Sequence, residues 1–510
     1  MIATALHSSM TCPSTPLTAG RVRLRGAVGV MLVWASLIPA HAQQGSGTGN
    51  DCGALVGLRP DAGTVTHAER VAKGRKLGGF LSEESAAGFC RASLSLKPTS
   101  ASDIRAELWL PEAWNGKLLT HGGGGFSGGL GPGEAVMNAT TGRGYASATS
   151  DLGHRVSATA RWAHQQPEKV IDFGHRANHV LAKAAKQVIQ AFYKRPAQRA
   201  YFQGCSGGGR EALAEVSRYP KDYDGVIAGA PAISFSQIMT QILWNEQLWA
   251  TAPRLRSKLP ALSKRVLDAC DALDGVRDGV LENPMQCRFD PARMQCKTFD
   301  TAGCLSGAEV SALRKFYEGP RLKNGEHLIA GPALGSEGAG WVIAGFMNSV
   351  GGPEYYRWLV HGDPAWRVSD FELDRDYARA RSTASTIVNA DEPNIAPFMQ
   401  RGGKLILYHG WADGLISPYS TIRYHDRLRG EVGAGLDDGV RLFMVPGLQH
   451  CAEGIDLLPE LEAWVEHGKA PEHAVSKAKP GATRRLCPWP QTSRYLGRGS
   501  ASDASNFACS

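Results

Sequence analysis

Past residue 38 this chain has no apolar run long enough to span a bilayer, so no membrane partner is expected for the mature protein. It has no block of lysines and arginines. The net charge of +8 is spread thinly over 510 residues, and a nucleic-acid partner is not expected. No internal repeat occurs, which leaves out repeat architectures. No C-x-x-C pair occurs either, which argues against a zinc–thiolate site. With 43% hydrophobic and 20% charged residues the composition is ordinary for a globular protein. The length exceeds what one core usually fills, so two domains or one domain with a large insertion are expected.

The one long apolar run lies near the start. Arg21, Arg23 and Arg25 precede the stretch from Gly26 to Ile38, and Ala40-His41-Ala42 offers small residues at cleavage spacing. This is the pattern of a secretory signal over residues 1–42, and it implies a periplasmic or extracellular protein. Of the 11 cysteines, Cys12 falls within that leader and the rest are even in number. An even count after a secretory signal favours disulfides. Local pairs such as Cys270 with Cys287, Cys296 with Cys304 and Cys487 with Cys509 are the simplest arrangement, although sequence alone leaves the pairing open.

Several short apolar runs read as strands: Ile104 to Leu110, Lys117 to Thr120, Ala200 to Gln203, Lys404 to Tyr408 and Arg441 to Val445. His175 to Tyr193 has helical spacing, with Val180, Ala184, Val188 and Phe192 on one side, and Gly207 to Tyr219 reads as another helix. Strands alternating with helices predict an α/β fold with a mainly parallel sheet covered on both faces. From about Ser234 to Asn394 tryptophans, cysteines and glycine turns replace that alternation. This block, 234–394, is expected to be an inserted lid. The catalytic domain is then 52–233 with 395–510.

Gly204-Cys205-Ser206-Gly207-Gly208 follows one of these strands and opens a helix. Glycines in G-x-S-x-G permit the sharp turn that lifts a serine hydroxyl above the sheet. A nucleophilic serine needs a base, and the base needs an orienting carboxylate. Asp413, after the 404–408 strand, and His450, after the 441–445 strand, stand in the order Ser, Asp, His, each just past a strand. His409 and His121 are rivals for the base, but each precedes its loop. His121-Gly122-Gly123-Gly124-Gly125-Phe126 resembles the HGGG-type loop whose backbone N–H groups receive an oxyanion. Gly124 or Gly125 is expected as one donor and Gly207, next after the nucleophile, as the other. Cys205 beside the serine and Cys451 beside the histidine can bond in an oxidising compartment, holding nucleophile and base together.

Cys205-Ser206, Asp413 and His450-Cys451 resemble the CS-D-HC motif of the tannase and feruloyl esterase family, which includes bacterial mono(2-hydroxyethyl) terephthalate hydrolase. The resemblance extends over nearly all of the mature chain. It implies an α/β-hydrolase core with a large inserted lid domain, and hydrolysis of carboxylic esters of small aromatic acids. It also implies five bridges: Cys52–Cys90, Cys205–Cys451, Cys270–Cys287, Cys296–Cys304 and Cys487–Cys509. The family's lid carries a structural Ca²⁺. Here Asp271, Asp274 and Asp278, with the backbone carbonyls of Val276 and Val280, match its ligands, and hard oxygens at short spacing suit that ion. No organic cofactor is expected.

Substrate choice is less legible. Trp244, Trp249, Trp341, Phe346, Tyr355 and Trp358 fall in the inserted block, where some can stack on an aromatic acyl group and most serve as its core. A terephthalate monoester would need a cation, for which Arg357 is one candidate. Hydroxycinnamate (feruloyl) ester cleavage ranks first, ahead of gallate esters (tannase) and terephthalate monoesters. A serine peptidase or acyltransferase, and a non-catalytic binding module, are remoter readings.

Overall fold

The computed structural model describes residues 51–78, 83–155, 159–298, 303–338, 341, 351–477 and 479–510. The expected leader, 1–42, and Phe346 lie outside the described residues. Nine strands form one sheet: β1 (Gly63–Val71), β2 (Phe89–Leu96), β3 (Ile104–Pro111), β4 (Lys117–His121), β5 (Ala146–Ser150), β6 (Arg199–Cys205), β7 (Gly225–Gly229), β8 (Lys404–Gly410) and β9 (Val440–Val445). Their spatial order is β1-β2-β3-β5-β4-β6-β7-β8-β9. From β5 across to β9 all pairings are parallel. The β1–β2, β2–β3 and β3–β5 pairings are antiparallel. The sheet is therefore mixed, with an antiparallel flank absent from the sequence reading.

The period of two along each central strand explains the two-sided core. Leu118, Phe202, Val226, Leu405, Leu407 and Leu442 face one cluster, with the helix Ala177–Tyr193 and residues of the helix Gly207–Arg218. Their neighbours Leu119, Tyr201, Ile227, Ile406 and Phe443 face the other, against Leu458, Leu461 and Trp464 of the helix Leu458–His467. Strands buried on both faces read as near-continuous apolar runs, and these do.

The 234–394 block divides between two cores. Leu248 to Trp341 supply a separate cluster around Leu255, Leu262, Leu313 and Phe316. Tyr355, Tyr356, Trp366, Tyr377 and Val388 instead join the main core. The five disulfides of the structure join Cys52–Cys90, Cys205–Cys451, Cys270–Cys287, Cys296–Cys304 and Cys487–Cys509. Strand order reverses beside β4, whose two neighbours are β5 and β6. A crevice for ligand is expected beyond the carboxyl ends of the strands at such a point. The loops after β4, β6, β8 and β9 hold the glycine run, Ser206, Asp413 and His450.

Candidate active site

Ser206 sits between the end of β6 and the helix Gly207–Arg218 with φ 62° and ψ −119°. A side-chain-bearing residue in that region costs about 1–3 kcal/mol and persists only where its surroundings enforce it. Here they do. The Ser206 N–H donates to the Gly229 carbonyl (2.9 Å), and its own carbonyl accepts from Arg210 and Ala232 (3.0 Å each). The turn also needs bare backbone: a Cβ on Gly204 would lie 2.5 Å from the Gly208 carbonyl, and one on Gly208 2.7 Å from the Gly123 carbonyl. The hydroxyl is thus presented at a helix N-terminus, where free N–H groups and the helix dipole favour negative charge.

The loop after β4 packs directly on this turn. The Gly122 N–H is spent on the Gln203 carbonyl (2.9 Å), and the Gly123 N–H on Glu211 Oε2 (3.1 Å). Gly125 has φ 56°, and its nitrogen lies 3.1 Å from where a Gly207 Cβ would stand. The backbone of Gly125 is therefore held against that of Gly207, while Gly124 has open space around its Cβ position. Glu211 is the loop's buried anchor. Its Oε2 also accepts from Asn178 (2.8 Å), and burial pushes its carboxyl up despite neighbouring Arg210.

Asp413 is fully buried beyond β8 and accepts four hydrogen bonds. Oδ1 takes the N–H groups of Leu415 and Ile416 (2.9 Å each), while Oδ2 takes His450 Nδ1 (2.7 Å) and His409 Nε2 (3.1 Å). Burial alone would raise this carboxyl, but facing His450 and the hydrogen bonds from both histidines hold it well below the usual carboxylate range. His450 Nδ1 thus points at the acid and leaves Nε2 toward the Cys451 sulfur, 3.6 Å away. The Cys205–Cys451 disulfide, with Cα atoms 5.9 Å apart, ties the residue before Ser206 to the residue after His450. Among the described residues the Ser206 hydroxyl makes no hydrogen bond. Such contacts are commonly long without substrate and tighten in the complex.

Of the rival histidines, His409 shares Asp413 with His450, and His121 has partners of its own. His121 is buried between Thr140 (3.1 Å) and Gln203 (3.2 Å), and burial pushes it down to about 3, so it is a neutral core group. Trp249 and Trp341 pack with Phe316 in the insertion's own core, and Trp244 borders it. Tyr355 is buried with its hydroxyl on Ser236 (2.6 Å). Trp358 donates to Glu354 (2.8 Å), and Arg357 pairs with the same carboxylate (2.7 Å). Beside the glycine loop the sequence did not signal an aromatic cluster: Phe126 lies 5.7 Å from Phe235 and 6.1 Å from Phe173, with Trp162 5.3 Å from Phe173, and of these only Phe126 and Trp162 are partly exposed. Phe126, next after the glycine run, was the one available clue.

In the acidic loop, Asp271 accepts from the N–H groups of Asp278 (3.3 Å) and Gly279 (3.0 Å). Asp274 Oδ1 accepts from Val276 N–H (3.1 Å), and its Oδ2 pairs with Arg484 (3.1 Å). Asp278 Oδ2 also meets Arg484, whereas Asp278 Oδ1 is buried with no hydrogen-bond partner. Among the described residues no three His, Cys, Asp or Glu side chains form a metal cage. Two of the five expected ligands, at Val276 and Val280, are backbone carbonyls. The all-oxygen donor set and the orphaned Asp278 oxygen fit a hard cation.

The mixed sheet with its sharp strand–Ser206–helix turn defines an α/β-hydrolase fold. The sequence profile described as "Tannase and feruloyl esterase" matches residues 90–510. Mono(2-hydroxyethyl) terephthalate hydrolase of Piscinibacter sakaiensis is 31% identical, over 80% of this chain and 81% of that protein. Feruloyl esterase B of Aspergillus niger is 29% identical, over 84% of this chain and 88% of that protein. The crystal structure of feruloyl esterase B from Aspergillus oryzae superposes with a TM-score of 0.83 at 26% identity, covering 89% of this chain and 98% of that one. The chain belongs to the tannase and feruloyl esterase family, and it is a carboxylic ester hydrolase.

Proposed function

We propose that this is a secreted serine esterase that cleaves esters of small aromatic acids, hydroxycinnamates foremost, through Ser206, His450 and Asp413. The observation that carries the reading is the 2.7 Å His450–Asp413 hydrogen bond beside a disulfide that ties the flanks of His450 and Ser206. His450 Nε2 removes the Ser206 proton as the hydroxyl oxygen attacks the ester carbonyl. Asp413 holds the imidazole in the tautomer with hydrogen on Nδ1 and stabilises its charged form. Backbone N–H groups of Gly207 and of Gly124 or Gly125 receive the oxyanion. His450 then gives its proton to the departing alcohol, leaving an acyl-Ser206. A water, deprotonated by the same nitrogen, releases the acid and restores the hydroxyl.

A neutral phenolic acyl group suits the partly exposed rings of Phe126 and Trp162, which are backed by the buried Phe173. Arg357, the candidate clamp for a terephthalate carboxylate, is neutralised by Glu354, which favours hydroxycinnamates over that monoester. Kinetics with methyl ferulate, methyl gallate and mono(2-hydroxyethyl) terephthalate test this. The highest kcat/KM is expected for methyl ferulate; cleavage of the terephthalate monoester alone would contradict it. Secretion rests on the leader pattern of residues 1–42 together with five disulfides. No helix among the described residues is long and apolar enough to cross a membrane.

A Ca²⁺ ion held by Asp271, Asp274, Asp278 and the carbonyls of Val276 and Val280 would brace the inserted block and take no part in ester cleavage. Removing it with EGTA is expected to lower Tm by several degrees, since saturating binding to the folded state contributes about 3 kcal/mol. The folded fraction should keep its kcat. A Tm indifferent to EGTA and to added Ca²⁺ would remove calcium from the account.

A further inference from the structure

His409 belongs to none of the roles above, yet it is fully buried and shares an oxygen with His450. Its Nε2 lies 3.1 Å from Asp413 Oδ2 and 3.1 Å from the Ile416 carbonyl, and its Nδ1 lies 2.7 Å from Thr421 Oγ1. Ionised carboxylate and carbonyl oxygens only accept, so Nε2 must carry a hydrogen. With that hydrogen in place, Nδ1 of the neutral ring accepts a hydrogen bond from the Thr421 hydroxyl, which avoids a second buried charge. The ring therefore holds one N–H fixed on the oxygen that also receives His450 Nδ1. The Leu415 and Ile416 N–H groups hold the other oxygen.

We infer that His409 is a positioning residue for the proposed triad: it aims Asp413 Oδ2 at His450 and, by sharing that oxygen's charge, sets how basic His450 is. The inference rests on the triad reading. Among the described residues the groups facing Asp413 are few. His450 comes from the loop after β9, His409 from β8, two backbone N–H groups from its own turn, and uncharged Thr421 touches His409 from the helix Pro418–Val432. Without the His409 donor, more charge remains on Oδ2. That charge favours protonated His450, so the active, neutral form requires a higher pH.

The test compares His409→Leu, His409→Gln and Thr421→Val in kcat, KM and the pH profile of kcat/KM. His409→Leu should lower kcat by about tenfold to a hundredfold with KM nearly unchanged. It should also move the acid limb up by about one pH unit, the effect of losing a hydrogen bond to a charged group. His409→Gln, whose amide can donate from a similar position, should recover part of both. Thr421→Val leaves Asp413 and both histidines in place and should show the same shift in smaller measure. An unmoved acid limb in His409→Leu would overturn the inference. If that variant does not fold, an unmoved limb in Thr421→Val overturns it instead. Ser206→Ala and His450→Ala, assayed in parallel, separate the two failures: activity surviving in them sinks the triad itself, whereas their inactivity beside a wild-type His409→Leu profile sinks only the role of His409.

Discussion

Replacing Ser206 with alanine is expected to lower kcat/KM by about four to six orders of magnitude while leaving the fold intact. The size follows from the mechanism: without the hydroxyl oxygen no acyl-enzyme forms, and only binding and oxyanion donors remain. Preservation of the fold follows from the contacts. The turn is held by the Ser206 N–H donating to Gly229, by the Ser206 carbonyl accepting from Arg210 and Ala232, and by the bare backbone of Gly204 and Gly208. None of these uses the side chain. Steady-state kinetics and a thermal melt check both halves, and a variant keeping more than a few per cent of the wild-type rate would place the nucleophile elsewhere.

The paired change Cys205→Ala with Cys451→Ala should reduce both stability and rate. The bridge spans a sequence separation of 246, for which chain entropy gives roughly 5 kcal/mol, less whatever structure the unfolded chain retains. The catalytic effect arises from geometry. Ser206 and His450 sit on loops after different strands, and Cys451 is itself at φ 50°. With the tether gone the two loops can drift, and a shift of about 1 Å between nucleophile and base can cost about a hundredfold in kcat. Removing Cys487–Cys509, which closes a separation of 22 beside a C-terminal hairpin, should lower Tm and leave kcat of the folded enzyme near wild type. Equal kcat values for the two double variants would show that the active-site bridge is structural only.

The strands that carry the site were legible because each joins an apolar run to a loop of chemically distinctive residues. Lys404–Gly410 leads to Asp413 and Val440–Val445 to His450. β3 was legible from its alternation alone, whereas β1, β2, β5 and β7 lacked such a signal. β5 reads Ala-Ser-Ala-Thr-Ser and β7 is framed by glycines, yet both are buried throughout, because pairing with neighbouring strands supplies what their own side chains do not. The antiparallel flank was illegible for the same reason, since register and partner are properties of the whole sheet. Within the site, residue order picked out Ser206, Asp413 and His450. It treated His409 only as a rival base. That His409 donates to Asp413 depends on a four-residue turn closing back on β8, which no spacing rule reveals. The partnership of Glu211 with Gly123 spans 88 positions and was equally hidden. The tryptophans of the insertion gave no hint of the Phe126 and Trp162 rings, which meet the buried Phe173 and Phe235 only once four separate segments have packed.

Labelling with a fluorophosphonate, followed by peptide mapping, tests the central claim most directly, since that probe reacts only with a serine whose proton is taken by a working base. One adduct per chain on Ser206 is predicted, with activity lost in proportion to labelling and no adduct in His450→Ala. An adduct on another residue, or full esterase activity in protein whose Ser206 is completely labelled, would contradict the account.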